Sequence, residues 1–358
     1  MSTAVFDVSR RGARTTVRSA FASVGNAALT LVVLAIAAAA LIPIGRWAFG
    51  DALWTGTAAD CHAPGVGACW AFIGHKLPFI LFGLYPATER WRPAVATALM
   101  VALVIASLVP RFWRRWLIPF WIIGLGASLW LLGGGATLER VPTQDWGGLP
   151  ITILLTIVGL GVGFPIGVVL ALGRRSRAPL PRRAAATIIE VVRGVPLVGV
   201  LYLAVLVVPL TLSKGVEAPK LLLAQAGLAI FAGAYFAEAV RSGLQMIPAR
   251  RVDAARALGL SWWQSTRLVV LPEALRIVIP SFVSIAVGFF QDTSLIVIIG
   301  LFDLLNTARL AAQDPAWLGF HTEAYVFVGC VYFAGSALVS RYGLWLERRL
   351  SGGRVKQS

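Results

Sequence analysis

Long apolar runs alternate with short polar segments along this chain. About 17 to 25 helical residues are needed to cross a hydrocarbon core of roughly 30 Å, and eight runs have that length. They lie near residues 24–45, 93–110, 117–135, 149–172, 187–210, 221–240, 277–301 and 324–346. A further apolar segment, 70–85, is interrupted by His75, Lys76 and Pro78. The pattern predicts an all-α integral membrane protein with about eight transmembrane helices.

The composition supports this interpretation and limits the function classes. Of the 358 residues, 58% are apolar and 13% are charged, which is typical of membrane proteins. The formal net charge of +16 would also fit a nucleic-acid-binding protein, but the basic residues fall in short clusters between the apolar runs. We therefore expect no nucleic-acid partner.

The basic clusters predict the topology, because Lys and Arg concentrate in cytoplasmic loops. The clusters are Arg10, Arg11, Arg14 and Arg18; Arg111, Arg114 and Arg115; Arg174, Arg175, Arg177, Arg182 and Arg183; the stretch 241–276; and the stretch 341–356. If all lie inside, the segment 1–23 and the tail 351–358 are cytoplasmic, and the first apolar run is a retained signal anchor. The run at 93–110 then makes the return crossing, so 70–85 is predicted to be an interfacial or re-entrant piece on the outer side.

Three cysteines give little direct information. Cys61 and Cys69 both fall in the predicted outer loop, where they form either a disulfide, if the compartment is oxidising, or two free thiols. Cys330 lies inside a predicted helix and is expected to be a small apolar core residue. The three histidines are scattered and no Cys or His cluster has ligand spacing, so we expect no metal site.

A stretch of turn formers and charges at 138–150 divides the chain. It separates the N-terminal helices with their outer loop and interfacial segment (24–138) from five C-terminal helices (149–350), which include a long inner loop at 242–276. The N-terminal helices are rich in Ala, Val and Leu, so we expect them to serve packing or anchoring.

The inner loop contains the polar stretch RVDAARALGLSWWQ, whose local chemistry predicts two short helices. Pro248 marks a helix start, and the segment 249–258 follows at helical spacing. Gly259 is suited to the left-handed conformation that ends a helix, and Ser261 with Gln264 forms a capping box that starts the next one. We therefore predict an ordered hairpin at the membrane surface.

The surface of this hairpin admits two interpretations. Ala254, Ala255 and Leu258 fall on one helix face, where small side chains let a partner approach the backbone closely. The arginines of the stretch, together with Trp262 and Trp263, are also typical of an amphipathic element lying on lipid headgroups. The sharp turn favours docking, because a helix lying on lipid gains nothing from being cut short.

Charged residues inside apolar runs are expensive, and they mark either structural pairs or a transport pathway. Glu190 and Arg193 lie three residues apart, as do Glu238 and Arg241, so each pair is expected to neutralise itself on one helix face. We favour a structural pair at the headgroup boundary over a pathway role. The Gly-Val-Pro sequence after Arg193 predicts a distorted helix that bares backbone groups towards a cavity.

A polar patch interrupts the run at 277–301. It consists of Gln291, Asp292, Thr293 and Ser294, and four such residues are not expected to face lipid. A structural role at a subunit interface and contact with a transported substrate have equal weight. The candidate pathway residues are therefore Gln291, Asp292, Thr293, Ser294, Glu190 and Arg193.

The stretch RRVDAARALGLSWWQSTRLVVLPEALR resembles the signature cytoplasmic loop of ABC-importer permeases, where an acidic residue, two alanines, a glycine and a downstream Leu-Pro form the coupling helix. The matching residues are Asp253, Ala254, Ala255, Gly259, Leu271 and Pro272. The family more often has Glu at the first position, and Asp253 keeps that charge. The segments IEVVRGVPLVGVLY and FFQDTSLIVIIGLFDLL are similar to the polar amino-acid subgroup, most of all to the longer permease subunit of general L-amino-acid or glutamate, glutamine, aspartate and asparagine uptake systems.

This resemblance implies a type I importer core that moves polar L-amino acids into the bacterial cytoplasm by alternating access. It also implies a second homologous permease, a cytoplasmic ABC ATPase dimer that binds ATP and Mg, a periplasmic amino-acid-binding protein, and the lipid of the inner membrane as partners. The chain has no G-x-x-x-x-G-K-[ST] phosphate loop, so we expect no cofactor and no ATPase site of its own. ATPase coupling through the loop 248–272 is assigned by the resemblance to Asp253, Ala254, Ala255, Leu258, Gly259, Ser261 and Pro272. Relatives often carry Lys where this chain has Gln291, so an ion pair with Asp292 is absent here.

Two other function classes stay open on the sequence. A secondary transporter driven by an ion gradient usually shows paired repeats and ionisable groups for ion coupling, and no internal repeat is visible here. A membrane scaffold that transports nothing does not explain the polar patch at 291–294.

Overall fold

The computed structural model describes residues 20–113, 116–212 and 218–350. The basic residues Arg10, Arg11, Arg14, Arg18, Arg114 and Arg115 and the predicted tail 351–358 lie outside this part of the chain. The α-helices are α1 (Val24–Gly45), α2 (Ala58–Cys61), α3 (Trp70–Phe82), α4 (Trp91–Leu108), α5 (Leu117–Gly133), α6 (Leu149–Arg174), α7 (Pro179–Gly194), α8 (Leu197–Tyr202), α9 (Val208–Thr211), α10 (Lys220–Gln245), α11 (Ala249–Ala257), α12 (Trp262–Ser265), α13 (Leu271–Ile277), α14 (Ile279–Asp292), α15 (Leu304–Ala311) and α16 (His321–Leu350). The predicted all-α membrane class is confirmed.

Six helices in the described residues are long and apolar enough to cross a membrane, and a bent pair makes a seventh if it is one span. That pair is α7 with the segment Leu197–Thr211, bent by 109°. The run at 187–210 is therefore not one straight helix. Pro196 cannot donate a backbone hydrogen bond and holds Val195 in an extended conformation, so α7 ends before it. The remaining predicted span is α5, whose 17 residues reach about 25 Å.

In the N-terminal part of the chain, α1 continues through a π-helical segment to Gly50, and a short loop follows. A disulfide between Cys61 and Cys69 closes this loop. The sequence left open whether these cysteines form a disulfide or two free thiols, and the structure has the disulfide. Both cysteines are buried, so the loop is compact rather than extended.

Helix α3 is too short to cross a membrane, because its 13 residues span about 20 Å of a hydrocarbon core of roughly 30 Å. The chain turns directly after it at Gly83, where φ is +62°. The chain divides into two compact units within this helix. The predicted separation of 24–138 from 149–350 stays a prediction, as does the interfacial position of 70–85.

Glycines on one face of α6 let α10 approach closely. A Cβ at Gly163 would lie 2.7 Å from the Cβ of Ala232 and 3.0 Å from the carbonyl oxygen of Ala229. A Cβ at Gly167 would lie 2.9 Å from the nitrogen of Ala237. Small residues four apart are the usual means by which membrane helices pack backbone to backbone. The residue numbers rise together along both helices, so α6 and α10 run parallel.

Two short strands pair in parallel: β1 (Gly147–Gly148) precedes α6, and β2 (Phe302–Asp303) precedes α15. Strands of two residues have no periodicity, so the sequence pattern could not predict them. Helix α14 continues as a 3₁₀ helix, Thr293–Ile299, which ends at Gly300 with φ of +77°. The predicted polar patch therefore lies at the junction of α14 and this 3₁₀ helix.

Candidate functional site

The predicted hairpin is present, with α11 and α12 as its two arms. Pro248 is the N-cap residue of α11. Gly259 has φ of +79°, its N–H donates to the carbonyl of Arg256, and the N–H of Leu260 donates to the carbonyl of Ala255. These two bonds form a Schellman motif, which ends a helix through a left-handed residue and favours glycine there.

The second arm starts with the predicted capping box. The Ser261 hydroxyl accepts a hydrogen bond from the Gln264 N–H at 3.3 Å, and the Gln264 side chain accepts one from the Ser261 N–H at 2.9 Å. Both N–H groups would otherwise lack an intrahelical partner. Trp262 and Trp263 follow with their ring centroids 4.7 Å apart, and both are exposed. The turn is therefore fixed by hydrogen bonds on both sides.

The predicted contact face of α11 is only partly on the surface. Asp253, Ala254 and Leu258 are exposed, and the side chain of Leu258 is 81% exposed. Ala255 is 4% exposed and faces the interior of the chain. The prediction that Ala255 shares the contact face is therefore wrong. Successive residues are rotated by about 100° around a helix, and the inward side of α11 falls on Ala255.

Close contacts connect the hairpin to the transmembrane helices. Arg251 in α11 forms an ion pair with Glu273 in α13 at 2.5 Å. Ala274 of α13 is fully buried, and a Cβ at Gly243 of α10 would lie 2.7 Å from the Ala274 carbonyl oxygen. Pro272 is exposed at the start of α13. Because α13 packs backbone to backbone on α10, the hairpin and α10 are mechanically connected.

Five charged side chains form one cluster near the C-terminal ends of α6 and α10. Glu238 pairs with Arg241 and lies 3.7 Å from Arg193 and 3.9 Å from Arg174. Arg174 also donates to Glu190 at 2.8 Å. The predicted pair Glu238–Arg241 is confirmed. The predicted pair Glu190–Arg193 is wrong, because each charge on α7 meets an opposite charge on a neighbouring helix instead.

The four residues of the polar patch have different surroundings. Gln291 is exposed, and its side-chain amide donates to the hydroxyl of Ser336 on α16 at 3.2 Å. Thr293 is buried, and its hydroxyl donates to a carbonyl three residues earlier. Ser294 is half-buried and contributes its backbone carbonyl to a network described below. Asp292 is half-buried and has no ion pair or hydrogen bond to its side chain among the described residues.

Asp292 lies in a cleft between α10 and α14. The cleft is lined by Phe231, Ala232, Tyr235, Ser284, Ile285, Gly288, Phe289 and Asp292. Asp292 is the one acidic side chain in this lining, and three aromatic rings surround it. Tyr235 also connects the cleft to the charged cluster, since the Arg193 guanidinium lies 5.4 Å from its ring centroid. An aromatic lining with one carboxylate is suited to a small organic molecule that carries an ammonium group.

A buried polar network beside the patch was missed by the sequence analysis. Asp303 is fully buried and is the N-cap residue of α15. Its carboxylate accepts hydrogen bonds from the Tyr332 hydroxyl at 2.9 Å and from the N–H groups of Leu305 and Asn306 at 3.1 Å. The Asn306 side chain in turn donates to the Ser294 carbonyl at 3.3 Å. The network therefore joins the patch to α15 and α16.

Burial raises the pKa of Asp303, and the hydrogen bonds from Tyr332, Leu305 and Asn306 oppose that shift. The Asp-Leu-Leu-Asn spacing in front of a helix is an N-cap signal that would have located Asp303. Its bond to Tyr332 crosses 29 positions of the chain and has no sequence signal. Within the residues that the structure describes, no group of three or more His, Cys, Asp or Glu side chains is arranged to hold a metal ion.

Comparisons with a family model, with other sequences and with solved structures all find proteins of transport systems. The family described as binding-protein-dependent transport system inner membrane component matches residues 163–352. The chain is 41% identical over 346 residues to the inner membrane amino-acid ABC transporter permease protein YhdY of Escherichia coli K12, covering 94% of this chain and 93% of that protein. It is 33% identical over 343 residues to the glutamate/glutamine/aspartate/asparagine transport system permease protein BztC of Rhodobacter capsulatus, covering 79% of each. The fold is similar to a crystal structure of an amino acid ABC transporter with histidines, with a TM-score of 0.51 and 27% identity over 56% of this chain and 92% of that one.

Proposed function

Because the chain belongs to the binding-protein-dependent transport system inner membrane components, and among them to the amino-acid ABC transporter permeases, we propose that it moves polar L-amino acids into the cytoplasm as one subunit of an ATP-driven importer. The proposal rests on the hairpin of α11 and α12, which presents an exposed face on a turn fixed by two caps. A rigid exposed turn is suited to a groove on another protein.

In this proposal the hairpin faces the cytoplasm and the disulfide loop faces the periplasm. The arginine-rich helix ends support the first assignment, because basic residues concentrate on the cytoplasmic side. The disulfide between Cys61 and Cys69 supports the second, because disulfides persist in oxidising compartments. A membrane-impermeant maleimide added to intact cells should label these two cysteines only after reduction. If the reagent labelled these two cysteines in inverted vesicles but not in intact cells, this orientation would be rejected.

The hairpin is the proposed contact with a cytoplasmic ABC ATPase dimer, which binds ATP and Mg. Asp253, Ala254 and Leu258 supply the exposed contact surface. Gly259 and Ser261 hold the turn, Ala255 packs the hairpin against its own chain, and Pro272 sets the start of α13. Each residue of the coupling loop thus has either a contact role or a positioning role.

ATP-driven closure of the ATPase dimer would displace the hairpin as one rigid body. The displacement passes to α13 through the pair Arg251–Glu273 and to α10 through the close contact at Gly243. Helix α10 carries Glu238, which ties α6 and α7 to it through arginines. Motion of α10 therefore moves the bent pair and α6 together, which is the basis proposed for alternating access.

The cleft at Asp292 is the proposed pathway segment. Its carboxylate has no other partner among the described side chains and can accept the ammonium group of an amino acid. Gln291, Thr293 and Ser294 are neighbours of Asp292 in the chain but do not line this cleft. Arg193 adjoins the cleft through Tyr235, and Glu190 belongs to the same charged cluster as Arg193 through its pair with Arg174. A periplasmic amino-acid-binding protein would deliver the substrate, and a second homologous permease would close the open side.

The experiment is uptake by proteoliposomes that contain this chain with its second permease and ATPase. Uptake should continue when ion gradients are collapsed and should stop when ATP is removed. The opposite result would reject the proposal in favour of a gradient-driven secondary transporter.

The pathway assignment has its own test. Asp292→Asn should lower amino-acid uptake and raise the apparent KM while leaving basal ATP hydrolysis unchanged. Gln291→Ala is the matched control, because Gln291 is the neighbouring residue and does not line the cleft. Equal uptake by both variants would remove Asp292 from the pathway without affecting the coupling proposal.

A further inference from the structure

Two arginines line the same cavities at the base of the hairpin. Arg175 is the C-cap residue of α6, and Arg256 lies on α11; together they line three adjoining cavities. Neither guanidinium forms an ion pair or hydrogen bond with any residue the structure describes. Their neighbours Arg174 and Arg251 are each paired with a glutamate. The first cavity also has the Asp253 carboxylate in its lining, whereas the linings of the other two contain no acidic side chain. Two guanidinium groups that line the same space without an ion pair to the described residues favour an anionic ligand there.

The smallest of the three cavities is lined by a hydroxyl that has no hydrogen-bond partner among the described atoms. Ser265 is 3% exposed, and its Oγ has no hydrogen-bond partner among the described atoms. It lines this cavity together with Arg175, Arg256 and Trp262. A buried hydroxyl without a partner is unfavourable, so an acceptor oxygen bound here would satisfy it.

The largest of the three cavities has the character of a membrane interface. Its lining is Val169, Leu172, Gly173, Arg175, Ser176, Arg177, Pro181, Arg256, Leu260, Trp262 and Trp263. This lining holds three arginines, several large apolar side chains and no carboxylate. Val169 is 69% exposed, so the apolar side continues onto the outer surface of α6. Arginine and tryptophan beside an exposed apolar helix surface are typical of the headgroup region of a bilayer.

The cavities lie on a different side of α11 from Ala254 and Leu258, whereas Asp253 of the proposed contact surface lines the first cavity beside the two arginines. Arg256 and Ala254 are two residues apart, so their side chains leave the helix in directions that differ by about 160°. The inward side at Ala255 lies between them. One flank of the hairpin is thus available to a protein partner while the other faces the end of α6.

We propose that the side of the hairpin that faces the end of α6 binds the phosphate of an anionic phospholipid from the inner leaflet. The phosphate oxygens would accept hydrogen bonds from Arg175 and Arg256, and the Ser265 hydroxyl would donate a third. The acyl chains would run along Val169 and Leu172. The apolar lining selects a phospholipid over free phosphate, because inorganic phosphate gains nothing from it. The protein-docking interpretation of the hairpin then applies to the side with Ala254 and Leu258, and the lipid-contact interpretation applies to the side with Arg256.

The test is native mass spectrometry of the full-length chain in detergent with added phosphatidylglycerol, phosphatidylcholine or inorganic phosphate. The wild-type chain should retain one phosphatidylglycerol in preference to phosphatidylcholine, and millimolar inorganic phosphate should not displace it. Equal retention of both lipids, or displacement by inorganic phosphate, would overturn the proposal.

Variants locate the site. Arg175→Gln and Arg256→Gln should each weaken retention of phosphatidylglycerol about tenfold, as expected for loss of a charge-assisted hydrogen bond. Ser265→Ala should weaken it less. Arg250→Gln is the matched control, because Arg250 lies on the same helix, is exposed and lines none of these three cavities. Equal loss in the control and in Arg256→Gln would mean general charge attraction and would reject a defined site.

An acidic surface of the ATPase is the competing occupant. Addition of purified ATPase to the lipid-loaded chain should leave the bound phosphatidylglycerol in place. Its displacement by the ATPase would overturn the lipid proposal while supporting coupling through the hairpin, so the two proposals fail on different results.

Discussion

Replacement of Gly259 by valine tests whether the caps of the hairpin matter. No atom lies within 4 Å of a Cβ built at this position, so a Cβ here meets no neighbour. The cost comes from φ of +79° alone. An L-residue in the left-handed region costs about 1 to 2 kcal/mol, and the β-branched side chain of valine makes that conformation an outlier. Opening of the turn should therefore become about 5 to 30 times more frequent.

Hydrogen exchange of the chain in lipid nanodiscs measures this opening directly. The informative amides are the N–H groups of Gly259 and Leu260, whose bonds to Arg256 and Ala255 close the Schellman motif. In Gly259→Val their exchange should accelerate about 5-fold to 30-fold. Membrane insertion should be unchanged, whereas transport and substrate-stimulated ATP hydrolysis should fall. Gly259→Asn is the control, because asparagine tolerates the left-handed conformation.

Two results would refute the reasoning at different steps. Unchanged exchange in the valine variant would mean that the left-handed turn is not what closes the hairpin. Faster exchange together with normal transport in reconstituted vesicles would mean that the hairpin does not act as a rigid lever.

Three further perturbations test the packing, the buried network and an ion pair. Gly163→Val should destabilise the chain by about 1 to 3 kcal/mol, since its side chain would press on α10; Gly161→Val, with no atom within 4 Å of its Cβ, should leave the thermal unfolding temperature unchanged. Asp303→Ala should cost about 2 to 3 kcal/mol because buried donors lose their acceptor, and Asp303→Asn, which keeps an N-cap acceptor, should cost less than half of that; equal unfolding temperatures in detergent would contradict this. The hydrogen bond from Lys76 lowers the pKa of Asp314 below its ordinary value of 3.8, so the pair stabilises the fold above that pH and this contribution is lost as the pH falls through the lowered pKa. Lys76→Gln should accordingly flatten the fall in unfolding temperature on acidification, and an unchanged profile would contradict the assignment.

Features governed by local chemistry could be predicted from the sequence. The turn at Gly259 and the capping box of Ser261 and Gln264 depend on residues within a few positions of one another. The left-handed residue and the capping box were both predicted, and the structure has both. The apolar runs likewise located the long helices, because length and hydropathy decide membrane crossing. The pair Glu238–Arg241 belongs to the same class, since it lies within one helix turn.

Features that depend on which helices become neighbours were not predictable in this way. Glu190 meets Arg174 rather than Arg193 because the 109° bend lays α7 against the ends of other helices. The inward orientation of Ala255 depends on where α11 packs, which helical spacing alone does not specify. The bond between Tyr332 and Asp303 joins two separate elements of the fold.

The most direct test of coupling is cross-linking from position 258, a highly exposed position of the proposed contact surface. Leu258 is 81% exposed, so Leu258→Cys carries a reagent without disturbing the core. Cys330→Ser removes the free cysteine of the described residues, which is exposed on α16 and not in the core, so the prediction of a core residue there is wrong. In membranes that contain the whole transporter, a short bifunctional reagent at this position should join the chain to the ATPase, and the yield should change when ATP is added. Labelling of the same cysteine from outside intact cells, or cross-linking to lipid alone, would contradict the account.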